Sequence, residues 1–179
     1  DENQTAIGTV TATDADGDAI TFNITGSDIL INSSGVLTFS SAPDYETKPS
    51  YSATVTATDG TNSVQQTINI TVSNINEAPS FTSNATFTAD ENQTAIGTAT
   101  ATDPEGDSIT FTISGNELSI TSAGVLTFSS APDYETKTTY SATVTASDGT
   151  NSTTQNITVN VNNLNDNSPS FTSNATFTA

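Results

Sequence analysis

Carboxylates are the side chains through which this sequence could do chemistry, and their placement is not that of a solubilising coat. In the first half they gather as Glu2; as Asp14, Asp16 and Asp18; as Asp44 with Glu46; and as Asp59 and Glu77. Each returns 89 residues later, as Glu91; Asp103, Glu105 and Asp107; Asp133 with Glu135; and Asp148 and Asp166. Carboxylates this crowded repel unless something neutralises them, and solubilising charge would be dispersed and partly balanced by lysine. The chain sets 20 acidic residues against two lysines, for a net charge of −18. A bound cation is the partner such placement invites. Calcium takes about six to eight oxygens from carboxylates, carbonyls and waters, whereas magnesium demands a stricter octahedron. Soft metals would want cysteine or histidine, and the chain has neither.

The same composition removes whole classes of function. Without His or Cys there is no disulfide framework, zinc finger, cysteine nucleophile or histidine-based triad in these residues. The excess of negative charge argues against nucleic acid and anionic membrane as partners. Asp44 and Glu46 have the spacing of a possible acid and nucleophile pair, but no Trp or His surrounds them, so the chain reads as non-enzymatic. A helix-flanked calcium loop of the EF-hand type fails as well, because Gly17 comes fourth in DADGD and strands flank it. No apolar run is long enough to span a bilayer and no signal pattern opens the chain. An export signal is therefore expected elsewhere in a longer protein.

The elements that must hold these groups read as strands. Tyr51, Ala53, Val55 and Ala57 alternate with Ser and Thr, as do Ile20, Phe22 and Ile24, and Ile68, Ile70 and Val72. Breaks are expected at Gly8, Gly17, Gly26, Gly35, Pro43 and Gly60, giving six to seven short strands per period and no helix. Only 32% of residues are hydrophobic, a value shared with disordered chains, yet each period holds enough for a small core. The fold expected is all-β: tandem antiparallel Greek-key β-sandwiches of about seven strands per repeat.

Residues 1–78 match residues 90–167 at 53 positions, and a period of this length means tandem domains. Pro79–Ala89 and Pro169–Ala179 are both PSFTSNATFTA, and joining the end of the chain to its beginning would recreate the junction at Ala89–Asp90. The expectation is a window two periods long on a longer array. Its parts are a repeat over 1–78 lacking its first strand, a complete repeat over 79–168, and the first strand of a following repeat over 169–179.

In this order between these strands, the acidic groups resemble the motifs of the cadherin repeat. Glu2 and Glu91, in DENQ, are similar to that family's early glutamate. DADGD and DPEGD resemble its DxD motif, with Glu105 for the second Asp. PDYE, at Pro43–Glu46 and Pro132–Glu135, resembles its DRE motif with Tyr for Arg. ATDG and ASDG match its late Asp; NLNDNSP (Asn163–Pro169) resembles its DxNDNxP linker, and NINEAP (Asn74–Pro79) is a shortened form with Glu77 for Asp and Ala78 for Asn.

The resemblance implies calcium bound between successive repeats with ligands from both sides. For the junction inside this chain it implies Glu2, Asp44, Glu46, Asn76 and Glu77 on one side. The other side is Asp103, Glu105, Asp148 and the backbone carbonyl of Asp107. Asp14, Asp16, Asp18 and Asp59 would serve a junction upstream, and Glu91, Asp133, Glu135, Asn165, Asp166 and Asn167 one downstream.

On this reading the chain is an extracellular, cell-surface spacer of a long adhesin or filament, whose partners are calcium and neighbouring repeats. A carbohydrate-binding or adhesion-recognition module is the alternative, and it would need aromatics on an exposed face. An enzyme's accessory domain is a third. A repeat without its opening strand presents an orphan edge, so head-to-tail self-assembly by strand donation is also expected.

Overall fold

The computed structural model of the chain describes residues 1–173, 175 and 176. It divides into two compact units, Asp1–Asn76 and Glu77–Ala179, both all-β among the described residues.

The first unit has six strands: β1 (Ala6–Thr9), β2 (Thr21–Ile24), β3 (Ile29–Ile31), β4 (Val36–Phe39), β5 (Ser50–Thr58) and β6 (Ser63–Thr71). They form two three-stranded sheets, ordered β1-β4-β3 and β2-β5-β6. Alternate residues of both sheets point into one core of Ile29, Leu37, Phe39, Ala53, Val55 and Val72, as the period of two requires. The long β5–β6 hairpin closes at Asp59–Asn62, where Gly60 takes a left-handed φ of 97°.

The second unit repeats this plan and adds to it. Its strands are β7 (Ser80–Phe81), β8 (Thr86–Asp90), β9 (Ala95–Thr98), β10 (Ala101–Thr102), β11 (Thr110–Ile113), β12 (Leu118–Ile120), β13 (Val125–Phe128), β14 (Thr139–Ser147) and β15 (Ser152–Asn162). One sheet runs β11-β14-β15-β8 and the facing one β12-β13-β9, with the short pair β10-β7 beside them. The core is larger and drier: Leu126, Val144, Ala146 and Val159 are fully buried. Nine strands appear where about seven were expected because two strands are each split in two, the opening one as β7 and β8 and the next as β9 and β10. β7 pairs with β10, and β8 crosses to pair with β15.

Two expectations change in detail. The β8–β15 pair is parallel, Thr86 to Asp90 running beside Thr158 to Asn162, whereas an antiparallel sandwich was expected throughout. Alternation of apolar residues is the same for either direction, so it carries no information about which way a partner runs. Gly8 is not a break: it lies inside β1, at a register shift against β4.

Tyr51 and Tyr140 turn inward as the alternation requires. Each ring meets a core phenylalanine edge-on, Tyr51 on Phe39 at 4.8 Å and Tyr140 on Phe128 at 5.0 Å between centroids. The two lysines lie over these same rings, Lys48 at 4.2 Å and Lys137 at 4.5 Å, and pair with Asp28 and Glu117.

Gly124 shows how tightly one turn is specified. Its φ is +88°, and a Cβ there would stand 2.2 Å from the carbonyl oxygen of Ala99. Gly115 has a similar φ of +83° with open space around it. Gly124→Ala is therefore expected to destabilise the second unit by about 2 kcal/mol or more, and Gly115→Ala by only about 1 kcal/mol, read from urea unfolding.

Candidate metal centres

At the end of β8 the chain buries a charge. Glu91 is only 2% exposed, and burial of a carboxylate is costly unless its oxygens find donors. They find backbone: the N–H of Leu164 donates to Oε1 at 2.7 Å and that of Tyr134 to Oε2 at 2.8 Å. One side chain thus fastens the PDYE turn and the segment after β15 to the end of β8. Asn92, the next residue, adopts a left-handed φ of 64°, which turns the backbone at once toward β9. Its N–H donates to the Pro132 carbonyl at 2.9 Å and its Nδ2 to Asp166 Oδ2 at 2.5 Å.

Around this anchor Glu91, Asp133 and Glu135 each bring one carboxylate oxygen within 4.8 Å of the others. Asp133 shapes the turn, accepting from the Thr136 hydroxyl at 2.8 Å and the Glu135 N–H at 3.0 Å. The Thr136 hydroxyl is the main reason its carboxyl sits below the usual aspartate value, with the backbone N–H groups of Glu135 and Thr136 adding to it. Glu135 is held by two amides, Asn163 Nδ2 at 3.1 Å on Oε1 and Asn167 Nδ2 at 2.9 Å on Oε2. Asn167 also donates to Asp166. Asn165 lies exposed between Leu164 and Asp166.

The first unit repeats the device. Glu2, 2% exposed, accepts from Tyr45 N–H at 2.9 Å and Ile75 N–H at 2.6 Å. Asn3 follows with a φ of 61°, and Asn74 Nδ2 donates to Glu46 at 2.8 Å. Oxygens of Glu2 and Glu46 lie within 4.8 Å of each other. Asp44 is held below the usual aspartate value by the backbone N–H and then the hydroxyl of Thr47. Asn76 closes this unit.

The DxD-like loops and the late aspartates are each built as local turns. Asp103 Oδ1 accepts the N–H groups of Glu105 and Asp107, both at 3.1 Å, around a left-handed Gly106. Asp14 does the same for Asp16 and Asp18 at 2.8 and 3.2 Å. The Glu77 N–H donates to Glu105 Oε2 at 3.2 Å. Asp148 and Asp59 cap their hairpin turns, each with two backbone N–H groups at 2.6 Å on Oδ1. In the first unit Asp14 and Asp59 line one cleft of about 180 Å³. The carboxyl of Asp59 is lowered chiefly by the backbone N–H of Asn62 and then that of Thr61.

These residues suit a hard cation. Asp103 Oδ2 and Glu105 Oε1 are buried and lack a hydrogen-bond partner, and a buried oxygen in that condition is costly. Both lysines are committed to Asp28 and Glu117. The donor set is oxygen throughout, which suits a hard cation such as calcium rather than a soft metal.

Asn76, Asn165 and Asn167 were expected at the sites, but Asn3, Asn74, Asn92 and Asn163 were not. Asn92 and Asn3 turn the backbone and Asn92 also reaches Asp166 of the linker, while Asn163 and Asn74 hold the PDYE glutamate. A signal was present in the pairing of a glutamate with asparagine, which among residues other than glycine is enriched in a left-handed backbone.

A family model described as a bacterial Ig domain matches residues 76–162. Human Protocadherin-15 is 31% identical over 187 residues, an alignment covering 93% of this chain and 10% of the relative. The Drosophila melanogaster Protocadherin-like wing polarity protein stan is 33% identical over 199 residues, covering 94% and 6%. The chain thus spans a tenth or less of these relatives. Among solved structures, human Protocadherin-24 EC1-2 (form II) superposes with a TM-score of 0.60 at 20% identity, covering 86% of both chains. Mouse Cadherin-23 EC22-24 gives 0.58 at 22% identity, covering 92% of this chain and 62% of the other. At those identities the likeness concerns the fold.

Two outcomes follow from the geometry. Asn92→Gly keeps the left-handed turn and loses the amide to Asp166, whereas Asn92→Ala loses both; the alanine variant should be the less stable by about 1 kcal/mol. For Asp59 the folded carboxyl is lowered, so its contribution is complete above the ordinary aspartate range and lost as pH falls through the folded value. In calcium-free solution the stability gap between the chain and Asp59→Asn should be level from neutrality to about pH 5 and close below about pH 4, measured by urea titration at each pH.

Proposed function

This chain is built of cadherin-like repeats, and from that premise we propose that it is a non-catalytic, extracellular calcium-binding unit, a stiffening spacer of a long surface adhesin or filament. The observation that carries the reading is the buried Glu91, which draws the PDYE turn and the linker together and leaves oxygens of Glu91, Asp133 and Glu135 within 4.8 Å of one another.

Bound calcium supplies positive charge and oxygen coordination at the junctions between repeats. The repeats are taken as 1–78 and 79–168, with 169–179 opening a third. The trailing ligands of the second repeat are Glu91, Asp133, Glu135, Asn165, Asp166 and Asn167; those of the first are Glu2, Asp44, Glu46, Asn76 and Glu77. Asp103, Glu105, Asp107 and Asp148 serve the junction inside the chain, and Asp14, Asp16, Asp18 and Asp59 one before it. Glu77 and Ala78 depart from the linker pattern, so the internal junction has the poorer ligand set. The chain's own residues do the positioning: Asp103 and Asp14 fold their loops around one oxygen, and Asn92 aims Asp166. Metal that binds only the aligned arrangement of two repeats shifts the population toward it.

A recognition module with an aromatic platform is less well supported. Tyr51 and Tyr140 are engaged with core phenylalanines, and Tyr45 and Tyr134 pack against the two cores.

Thermal melting and small-angle scattering in calcium, then in chelator, test the reading. At calcium a hundredfold above Kd, binding adds about 2.7 kcal/mol to stability, so a higher melting temperature and a longer, stiffer particle are expected with metal. Identical curves would overturn it. Asp103→Asn with Asp148→Asn should lower calcium affinity while circular dichroism shows both sandwiches folded.

A further inference from the structure

Two departures from the repeated pattern occur together. The linker NINEAP (Asn74–Pro79) is one residue shorter than NLNDNSP (Asn163–Pro169). The acidic loop that follows it reads DPEGD where the first unit has DADGD, so Pro104 stands in the place of Ala15 and Glu105 in that of Asp16. Both exchanges have a consequence in the second unit.

Pro104 closes a turn. The Gly106 N–H donates to the Asp103 carbonyl at 3.2 Å, with Asp, Pro and Gly at the first, second and fourth positions, where a type I turn favours them. Proline fixes its own φ in advance, and Asp103 Oδ1 gathers the N–H groups of Glu105 and Asp107. The loop is thus shaped by its own hydrogen bonds.

Glu105 uses its two oxygens differently. Oε2 accepts the N–H of Glu77, the first residue of this unit, at 3.2 Å, two positions before the fully buried Pro79. Oε1 is buried without a hydrogen-bond partner, as is Asp103 Oδ2. An aspartate in the same place is shorter by one C–C bond of about 1.5 Å, which would carry the Glu77 contact beyond hydrogen-bond range.

Resting on the calcium reading above, we propose that Glu105 is a positioning residue that fits the acidic loop of the second unit to the shortened linker. Its Oε2 holds the Glu77 backbone, while Oε1 and Asp103 Oδ2 stay available to the cation. The extra methylene of glutamate supplies the reach that the missing linker residue takes away. Loop and linker are joined in the metal-free protein, and ordering completed beforehand does not oppose binding. The poorer ligand set of this junction is offset in that way.

Four proteins test this: the chain, Glu105→Asp, the chain with one Asn inserted between Glu77 and Ala78 to restore the length of NLNDNSP, and the insertion combined with Glu105→Asp. Exchange of the Glu77 amide is followed by NMR in chelator, and affinity by calorimetric titration with calcium chloride. In the native linker Glu105→Asp should speed that exchange about tenfold, as loss of a hydrogen bond to a charged group requires, and weaken calcium binding by about tenfold or more. Glu105→Gln keeps the reach and an acceptor but not the charge, so it should leave Glu77 protected and still weaken calcium. In the lengthened linker Glu105→Asp should change neither quantity by more than about twofold. Exchange of Glu77 that does not respond to Glu105→Asp overturns the proposal, and so do effects of equal size in the native and lengthened linkers. An unaltered chain that binds no calcium overturns the spacer reading instead, and the exchange rates in chelator still decide the role of Glu105.

Discussion

The structure depends on a glutamate that is out of the water. Glu91 and Glu2 are each 2% exposed in a chain of net charge −18, and such a charge is stable only because both oxygens accept backbone N–H groups. Hydrogen bonds to an ionised group are each worth about 1.5–3 kcal/mol. The partners of Glu91 lie 43 and 73 positions away, so this one residue sets where the PDYE turn and the linker meet. The left-handed Asn92 and Asn3 follow from the same need, since the backbone must turn immediately after a side chain directed inward. Everything acidic near the end of the sandwich is then held where that anchor leaves it.

The duplicated sequence separates the effect of sequence from that of neighbours. β5 and β14 differ little in residue type, and both form nine-residue strands in a long hairpin. Burial is another matter, because a strand covers its core residues only where another strand lies alongside it. Ile68 and Ile157 are the same residue in the same position of the same hairpin, half-buried in one unit and 1% exposed in the other. The difference is β8, which contributes Phe87 and a parallel ladder.

That comparison also explains how much was legible beforehand. Strand positions were readable because Tyr51, Ala53, Val55 and their repeats alternate strictly, and the acidic groups were readable because they recur in register with turns. Direction was not readable, so the parallel β8–β15 pair came from the structure alone. Gly8 was misread as a break because a glycine at a bulge and a glycine at a turn look alike in one sequence. Asn92, Asn162 and Asn163 were hidden by composition. In a chain rich in Asn, nothing marks them in advance as the donors to Asp166, Asp90 and Glu135.

The net charge then resolves into local problems. Asp148 stands in the turn before β15 and Asp166 lies just beyond its end, and β15 is 11 residues long. At about 3.3 Å per residue those two acidic groups are roughly 33 Å apart, several times the Debye length of about 8 Å at physiological salt. They scarcely feel each other. Between them the outward positions of β14 and β15 are Thr, Ser, Asn and Gln, without charge. The cost of −18 is therefore not shared over the molecule, where distant lysines or bulk salt would relieve it. It is concentrated at each end of each sandwich, where counter-charge gathered at that end relieves it.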